Sequence, residues 1–284
     1  MTTVKHPAEV FGHPIDVHSE QAESDRARYW CPFMNAPCDK QSRLIDYPMG
    51  VCSVQYNDDV VALSPRRFLQ DSTVFYDIAD QHFGSRHDLL LFEELSVPSA
   101  RHLGRFDYVM VKHKPLSREI VDFVGIEFQT GQTTDTGNLV RALENFIAGE
   151  DIVGQSYRFG LNLADIWKRT FIQILTKGIA FEQWGHKIYW VIQEPIYEDF
   201  LARYHLHGMQ YEEEHSTVFA IYDLERRGAA YTLFRNRLES ATIDGLFNAF
   251  RTSLEVPPKE VFVEKLRSLT ETQASANLRL DVEG

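Results

Sequence analysis

Two β-rich runs decide the fold of this chain: FDYVMV at residues 106–111 and VDFVGIEFQ at residues 121–129. Alternation and β-branched or aromatic residues predict a strand in each run, and a Lys-Pro-Leu-Ser turn signal lies between them at 114–117. The two strands are expected to form a hairpin. Asp107 lies in the first run and Glu127 in the second, each between apolar or aromatic neighbours.

The periodicity around this hairpin predicts an alternation of helices and further strands. Helices are expected at 75–82, 88–95, 139–148, 162–182, 195–205, 242–253 and 258–271, and strands at 187–193, 217–225 and 231–238. This order is typical of an α/β or α+β domain with a mixed sheet flanked by helices, a class that serves many functions. Within the helix at 162–182, we expect Lys168, Arg169 and Lys177 to lie off the apolar stripe.

The first 70 or so residues have a different, proline-punctuated pattern. They hold all three cysteines of the chain, Cys31, Cys38 and Cys52. We therefore expect a small, loop-rich N-terminal module over residues 1–72 and a second domain over residues 73–284.

Composition restricts the class of protein. The 284 residues are 44% apolar and 12% aromatic, enough for a large core. No uninterrupted apolar run of membrane-spanning length and no secretory signal is found, so we expect a soluble, cytoplasmic protein with no membrane partner. A net charge of −12 counts against DNA as a partner over long range, although a local basic cleft with metal ions would overcome the repulsion.

The two acids inside core strands need a specific explanation, because an unpaired buried carboxylate is costly. Side-chain alternation places Glu127 and Gln129 on one face of their strand, with Asp107 on the neighbouring strand. Such a set suits Mg²⁺, which takes carboxylate oxygens, keeps several waters and assists phosphodiester hydrolysis. A purely structural alternative remains open, in which Glu127 pairs with Arg101 or Arg105.

The motifs resemble those of a known family. FDY at 106–108 and GIEFQT at 125–130 are similar to the D…E-X-Q variant of the PD-(D/E)XK motif in NotI-type restriction endonucleases. Further similar segments, in matching order, are CPF at 31–33, GVC at 50–52, ELS at 94–96 and IWKRTFIQ at 166–173. Together these anchors cover roughly residues 11–200.

The resemblance implies a role for each matching site residue. Asp107 and Glu127 correspond to the family's metal-binding acids, and Gln129 stands where related nucleases have lysine. Glu94 matches an acid on the preceding helix that reaches the metal centre or a second ion. Gln129 lacks the positive charge of lysine, but its amide is able to orient the attacking water and contact the phosphate.

Lys168 and Arg169, in the matching helix segment, are expected to contact DNA phosphates, which position the protein without reading bases. Cleavage of both strands of a duplex is naturally matched by two-fold symmetry, so we expect a homodimer. Double-stranded DNA is the expected partner.

The resemblance also extends to the cysteines, because the family carries four cysteines that bind iron. Here Cys31, Cys38 and Cys52 match, but Ser64 stands at the position of the fourth. Three outcomes stay open: another side chain completes an iron or zinc site, the metal binds weakly with a water, or the region folds without metal.

The sequence therefore predicts a type II restriction endonuclease that uses Mg²⁺ to hydrolyse double-stranded DNA at a specific sequence. We expect Glu127→Ala to abolish cleavage and leave folding nearly intact. Two alternatives are a catalytically inactive DNA-binding or scaffold protein on the same fold, and a repair or CRISPR-type exonuclease with a metal-cysteine module.

Overall fold

The computed structural model describes residues 4–98, 100–206, 208–253 and 256–272. Its N-terminal part is more regular than the expected loop-rich module. The elements there are β1 (Lys5–Val10), β2 (His13–Pro14), α1 (Glu20–Ala27), β3 (Trp30–Cys31), β4 (Ala36–Pro37), β5 (Val51–Tyr56) and β6 (Asp59–Ala62). Four of these strands form an antiparallel sheet in the order β2-β1-β5-β6. Local pattern did not indicate this sheet because its central pair joins strands about 40 residues apart, as in Val10 opposite Val51.

The rest of the chain alternates helices and strands. Its helices are α2 (Thr73–Ile78), α3 (Thr136–Ile147), α4 (Leu163–Gln173), α5 (Ile179–Trp184), α6 (Glu194–Arg203), α7 (Ile243–Ser253) and α8 (Lys259–Thr272), with 3₁₀ helices at Pro65–Ser72 and Arg101–Leu103 and π-helical turns at Ala79–Phe83 and Ile174–Gly178. Its strands are β7 (Leu89–Ser96), β8 (Arg105–His113), β9 (Ile120–Gln129), β10 (Thr133–Thr134), β11 (Gly160–Leu161), β12 (Lys187–Gln193), β13 (Thr217–Arg227) and β14 (Ala230–Ala241). None of the helices that the structure describes is long and apolar enough to cross a membrane.

A mixed six-stranded sheet forms the centre of this part, in the order β14-β13-β12-β9-β8-β7. Strand β12 runs parallel to both β9 and β13, and the remaining neighbours are antiparallel. The predicted hairpin is confirmed, with Tyr108 opposite Ile126 in the pairing of β8 with β9. The expectation of a mixed sheet flanked by helices is likewise confirmed.

Both faces of the sheet are buried, which explains the near-continuous apolar runs of its central strands. On one face, Trp190 of β12 packs with Ile166 and Trp167 of α4 in one core. On the other face, Tyr189 of β12 belongs to a second core that includes Phe68. The polar side chains of β9 on the α4 side, Glu127 and Gln129, are therefore buried.

The helix expected at 88–95 is wrong, because this segment is the edge strand β7. Leucine and glutamate favour helix in isolation, but pairing with β8 overrides that preference, with Leu91 opposite Met110 and Leu95 opposite Phe106. As a result, Glu94 lies on an edge strand and not on a helix.

Candidate active site

Asp107 and Glu127 lie side by side where the pairing of β8 with β9 ends. Tyr108 and Ile126 form the outermost pair of that ladder, and Asp107 and Glu127 are the next residue of each strand. Asp107 Oδ2 accepts a hydrogen bond of 2.8 Å from the backbone N–H of Phe128, which ties its carboxylate to the end of β9. The hairpin thus brings the two predicted acids together.

Burial shifts both carboxyl groups of this pair towards the protonated form. Burial raises the pKa of Asp107 above its ordinary value. Burial also raises the pKa of Glu127 to about 7, and the neighbouring charge of Asp107 adds to the rise while Lys177 opposes it. A carboxylate pair of this kind is stabilised by an added cation.

Lys177, which was expected to lie off the apolar stripe of its helix, is instead buried beside Glu127. Its Nζ lies 2.6 Å from Glu127 Oε1 and donates a second hydrogen bond of 2.7 Å to the backbone carbonyl of Arg105. The sequence held a signal for this position, because Lys177 continues the three-to-four spacing from Ile174 to Phe181, both of which are buried.

The structural alternative for Glu127 named two arginines. Arg105 instead pairs with Glu94, at 2.5 Å between Nη1 and Oε2, and the side chain of Arg101 lies outside the described residues. The counter-ion of Glu127 in this structure is Lys177, from the π-helical turn that follows α4.

Gln129 is buried with its amide held by α4. Its Oε1 accepts a 2.7 Å hydrogen bond from Thr170 Oγ1, and its Nε2 donates to Gln173 Oε1 at 3.2 Å. These contacts place Gln129 on the α4 side of β9, the side on which Glu127 meets Lys177. The amide orientation is therefore set by two side chains that the motif alone does not indicate.

Glu94 lies near Asp107 but does not join the acids in one cluster. Its charge contributes to the raised pKa of Asp107, while its side chain is 58% exposed and paired with Arg105. A cavity of about 110 Å³ opens beside these residues, lined by Pro65, Arg66, Glu93, Glu94, Asp107, Tyr108 and Phe128. Across the described ranges, no group of three or more His, Cys, Asp or Glu side chains is placed to hold a metal.

Lys168 and Arg169 are exposed on α4. Arg169 precedes Gln173, the partner of Gln129, by one helical turn, so it extends the same helix face towards solvent. Its only ion pair in the described part of the chain is a loose one, with 3.9 Å between Nε and Asp165 Oδ2. Both cations are thus available at the surface of the helix that supports Gln129.

The three cysteines are free thiols, with Cys31 and Cys52 buried and Cys38 half-buried. Burial raises the pKa of the Cys31 and Cys52 thiols, which favours their protonated form. Cys52 Sγ lies 3.5 Å from the backbone carbonyl of Gly50, and the buried Ser64 donates its backbone N–H to the carbonyl of Cys52 at 3.2 Å.

Lys40 brings a positive charge into this cysteine region. Its Nζ donates to the carbonyl oxygens of Val51 at 3.0 Å and Leu63 at 3.2 Å, the residues that directly precede Cys52 and Ser64. Thiols at three positions, a hydroxyl at the fourth and an ammonium beside them do not fit a four-thiolate metal site. The expectation of iron or zinc therefore gains no support from the donor set.

Two comparisons with known proteins bear on this site. The family model described as restriction endonuclease NotI matches residues 9–233, which include both the cysteine region and the acids of β8 and β9. No curated protein matches the chain.

Proposed function

We propose that this chain, which belongs to the restriction endonuclease NotI family, hydrolyses phosphodiester bonds of double-stranded DNA at a specific sequence in a Mg²⁺-dependent reaction. Family membership supports the class of reaction. The observation that carries its location is the pair of a half-buried Asp107 and a buried Glu127, which lie near the ends of adjacent strands with raised pKa values. We interpret the six-stranded sheet as a PD-(D/E)XK nuclease core.

The residues at this point fit Mg²⁺. Asp107 and Glu127 supply hard oxygen donors from one or two carboxylates, the number that Mg²⁺ commonly takes from protein while it keeps its waters. Asp107 also lines the open cavity, which leaves room for a phosphate oxygen. When bound, the ion polarises the scissile phosphate and lowers the pKa of an attacking water.

Gln129 is proposed to position the attacking water or the phosphate. Thr170 and Gln173 fix its amide, and a primary amide has a second N–H beyond the one donated to Gln173. This group is neutral, so it orients without adding charge. Glu94, at the rim of the cavity, is proposed to reach the reacting centre or a second ion once DNA displaces Arg105 from it.

We assign Lys168 and Arg169 to contacts with DNA phosphates, on the basis of their exposure on the helix that holds Gln129. The remaining proposals follow from family membership and from the symmetry of a duplex: a homodimer acting in the cytoplasm, with residues 1–72 as an N-terminal module and 73–284 as the nuclease domain.

The test uses the purified full-length chain, supercoiled plasmids of varied sequence, and Mg²⁺ or Mn²⁺. We expect discrete linear fragments with common ends, their loss on chelation of the metal, and no cleavage by Glu127→Gln. Glu213→Gln, a change at an exposed acid that pairs with Lys187, serves as the matched control and should cut normally.

A circular substrate also excludes an exonuclease, which needs a DNA end. Wild-type protein that leaves every plasmid intact would contradict the proposed activity. Equal cleavage by wild type and Glu127→Gln would contradict the proposed site.

A further inference from the structure

Lys177 is the most deeply buried cation at the proposed site, and its burial requires a reason. Its side chain is 4% exposed, and that of Glu127 is 1% exposed. Removing an ammonium from water costs several kcal/mol in general, and an apolar residue of similar size would continue the stripe from Ile174 to Phe181. The cost of burying the Lys177 ammonium is offset by its hydrogen bonds to Glu127 Oε1 and to the Arg105 carbonyl.

The helix around Lys177 is built to aim this side chain. Lys177 lies in the π-helical turn Ile174–Gly178, an irregularity that is frequent at functional sites. The next residue, Gly178, packs so closely on α7 that an added Cβ would lie 2.5 Å from Ile243 Cδ1. Nζ also lies 5.2 Å from the centre of the Phe106 ring, one residue before Asp107.

Lys177 contacts one of the two oxygens of the Glu127 carboxylate. Nζ is fixed between Glu127 Oε1 and the Arg105 carbonyl, so one oxygen of the carboxylate is anchored from the helical layer. Gln129, two residues further along β9, brings no charge and is itself held by α4. The positive charge beside Glu127 therefore comes from position 177 and not from the strand.

We propose that Lys177 is a positioning residue that anchors Glu127 Oε1 and competes with the divalent cation for the same carboxylate. This inference rests on the proposed function. By fixing Oε1, Lys177 restricts the cation to one geometry relative to the phosphate. By adding a positive charge near the cation, it weakens cation binding. Lys177 thus lowers the affinity of the site for the cation and fixes the orientation of the carboxylate that binds it.

Two opposite changes are expected in Lys177→Gln, which retains a donor for the Arg105 carbonyl but removes the charge. Mn²⁺ binding to the full-length protein without DNA, measured by titration calorimetry at pH 8.5, should tighten about three- to tenfold. Plasmid cleavage at saturating Mg²⁺ should slow by about tenfold or more, because the carboxylate is no longer anchored.

Lys177→Arg keeps the charge and should bind Mn²⁺ with an affinity within about twofold of wild type. Lys187→Met removes a lysine that is paired with Glu213 and lies three positions along β12 from Trp190, the neighbour of Glu127; it should change neither quantity. Far-ultraviolet circular dichroism establishes that each variant is folded. If Lys177→Gln does not fold, the comparison of Lys177→Arg with Lys177→Met replaces it.

Damage to the fold would weaken Mn²⁺ binding and slow cleavage together, so weaker or unchanged Mn²⁺ binding in a folded, uncharged variant overturns the inference. Unchanged cleavage at saturating Mg²⁺ overturns it as well. Failure of the proposed function is recognised separately, because wild type would then neither bind Mn²⁺ nor cut, and Glu127→Gln would behave like wild type.

Discussion

Two regions of this molecule each contain a lysine whose ammonium is hydrogen-bonded inside the protein, and the partners differ. At the carboxylate pair, Lys177 contacts a charged oxygen of Glu127. In the cysteine region, Lys40 contacts two neutral carbonyls, those of Val51 and Leu63. The matched family includes both regions.

The two regions differ in the groups beside each lysine that could bind a second cation. Beside Lys177, two carboxyl groups share one ammonium, so a negative charge is left for a second cation once both are ionised; burial raises the pKa of both and opposes that ionisation. Beside Lys40, the nearest ionisable groups are thiols, and burial keeps Cys52 protonated by raising its pKa. A lysine near carboxylates is thus compatible with a metal site of oxygen donors, whereas the three thiols near Lys40 do not make up a four-thiolate site.

The largest expected loss of stability follows from removing the carboxylate that pairs with Lys177. Glu127→Ala removes the only carboxylate that Lys177 contacts in the described structure, and loss of one partner of a buried ion pair costs about 3 to 5 kcal/mol. The earlier expectation that this variant folds nearly normally is therefore revised. Glu127→Gln retains an oxygen for Nζ and should lose less stability. Urea unfolding of the metal-free proteins measures both, and equal stability of wild type and Glu127→Ala would show that the pair contributes nothing.

A smaller effect is expected on the Lys40 side. Lys40→Met leaves the carbonyls of Val51 and Leu63 without their donor and should lower the free energy of unfolding by about 1 to 3 kcal/mol. Lys114→Met, at an exposed lysine, is the control and should stay within about 0.5 kcal/mol of wild type.

Elemental analysis tests whether the cysteine region holds a metal. Purified wild type should carry less than about a tenth of an equivalent of iron or zinc, since a hydroxyl stands at the fourth cysteine position and an ammonium lies beside the three thiols. Stoichiometric metal together with an undiminished stability of Lys40→Met would reverse the interpretation of the cysteine region.

The smallest expected effect is on DNA binding, from the two exposed basic side chains of α4, Lys168 and Arg169. Lys168→Ala and Arg169→Ala should each weaken DNA binding and lower the salt dependence of the binding constant by about one ion, without a change in sequence preference. Fluorescence anisotropy at several salt concentrations measures this, with Lys259→Ala on α8 as the control. Unaltered salt slopes in both variants would remove these residues from the phosphate contacts.

Much of the central sheet could be predicted from the sequence, because strands buried on both faces are short runs rich in β-branched and aromatic residues. The hairpin was expected at 106–111 and 121–129 and is found at Arg105–His113 and Ile120–Gln129. Side-chain alternation along the strand placed Glu127 and Gln129 on one face. The strand at 89–96 was missed because leucine and glutamate favour helix when no partner strand is known.

What the sequence determined by itself is the hairpin, the acid in each of its strands and the family to which the motifs belong. Tertiary structure alone decided the partners of those acids. Lys177 is 50 residues from Glu127, and Lys40 is 23 residues from Leu63, yet each pair is in hydrogen-bonding contact. The physical reason is that local periodicity encodes which face of an element is buried, whereas the identity of the group that meets it there depends on how distant elements pack.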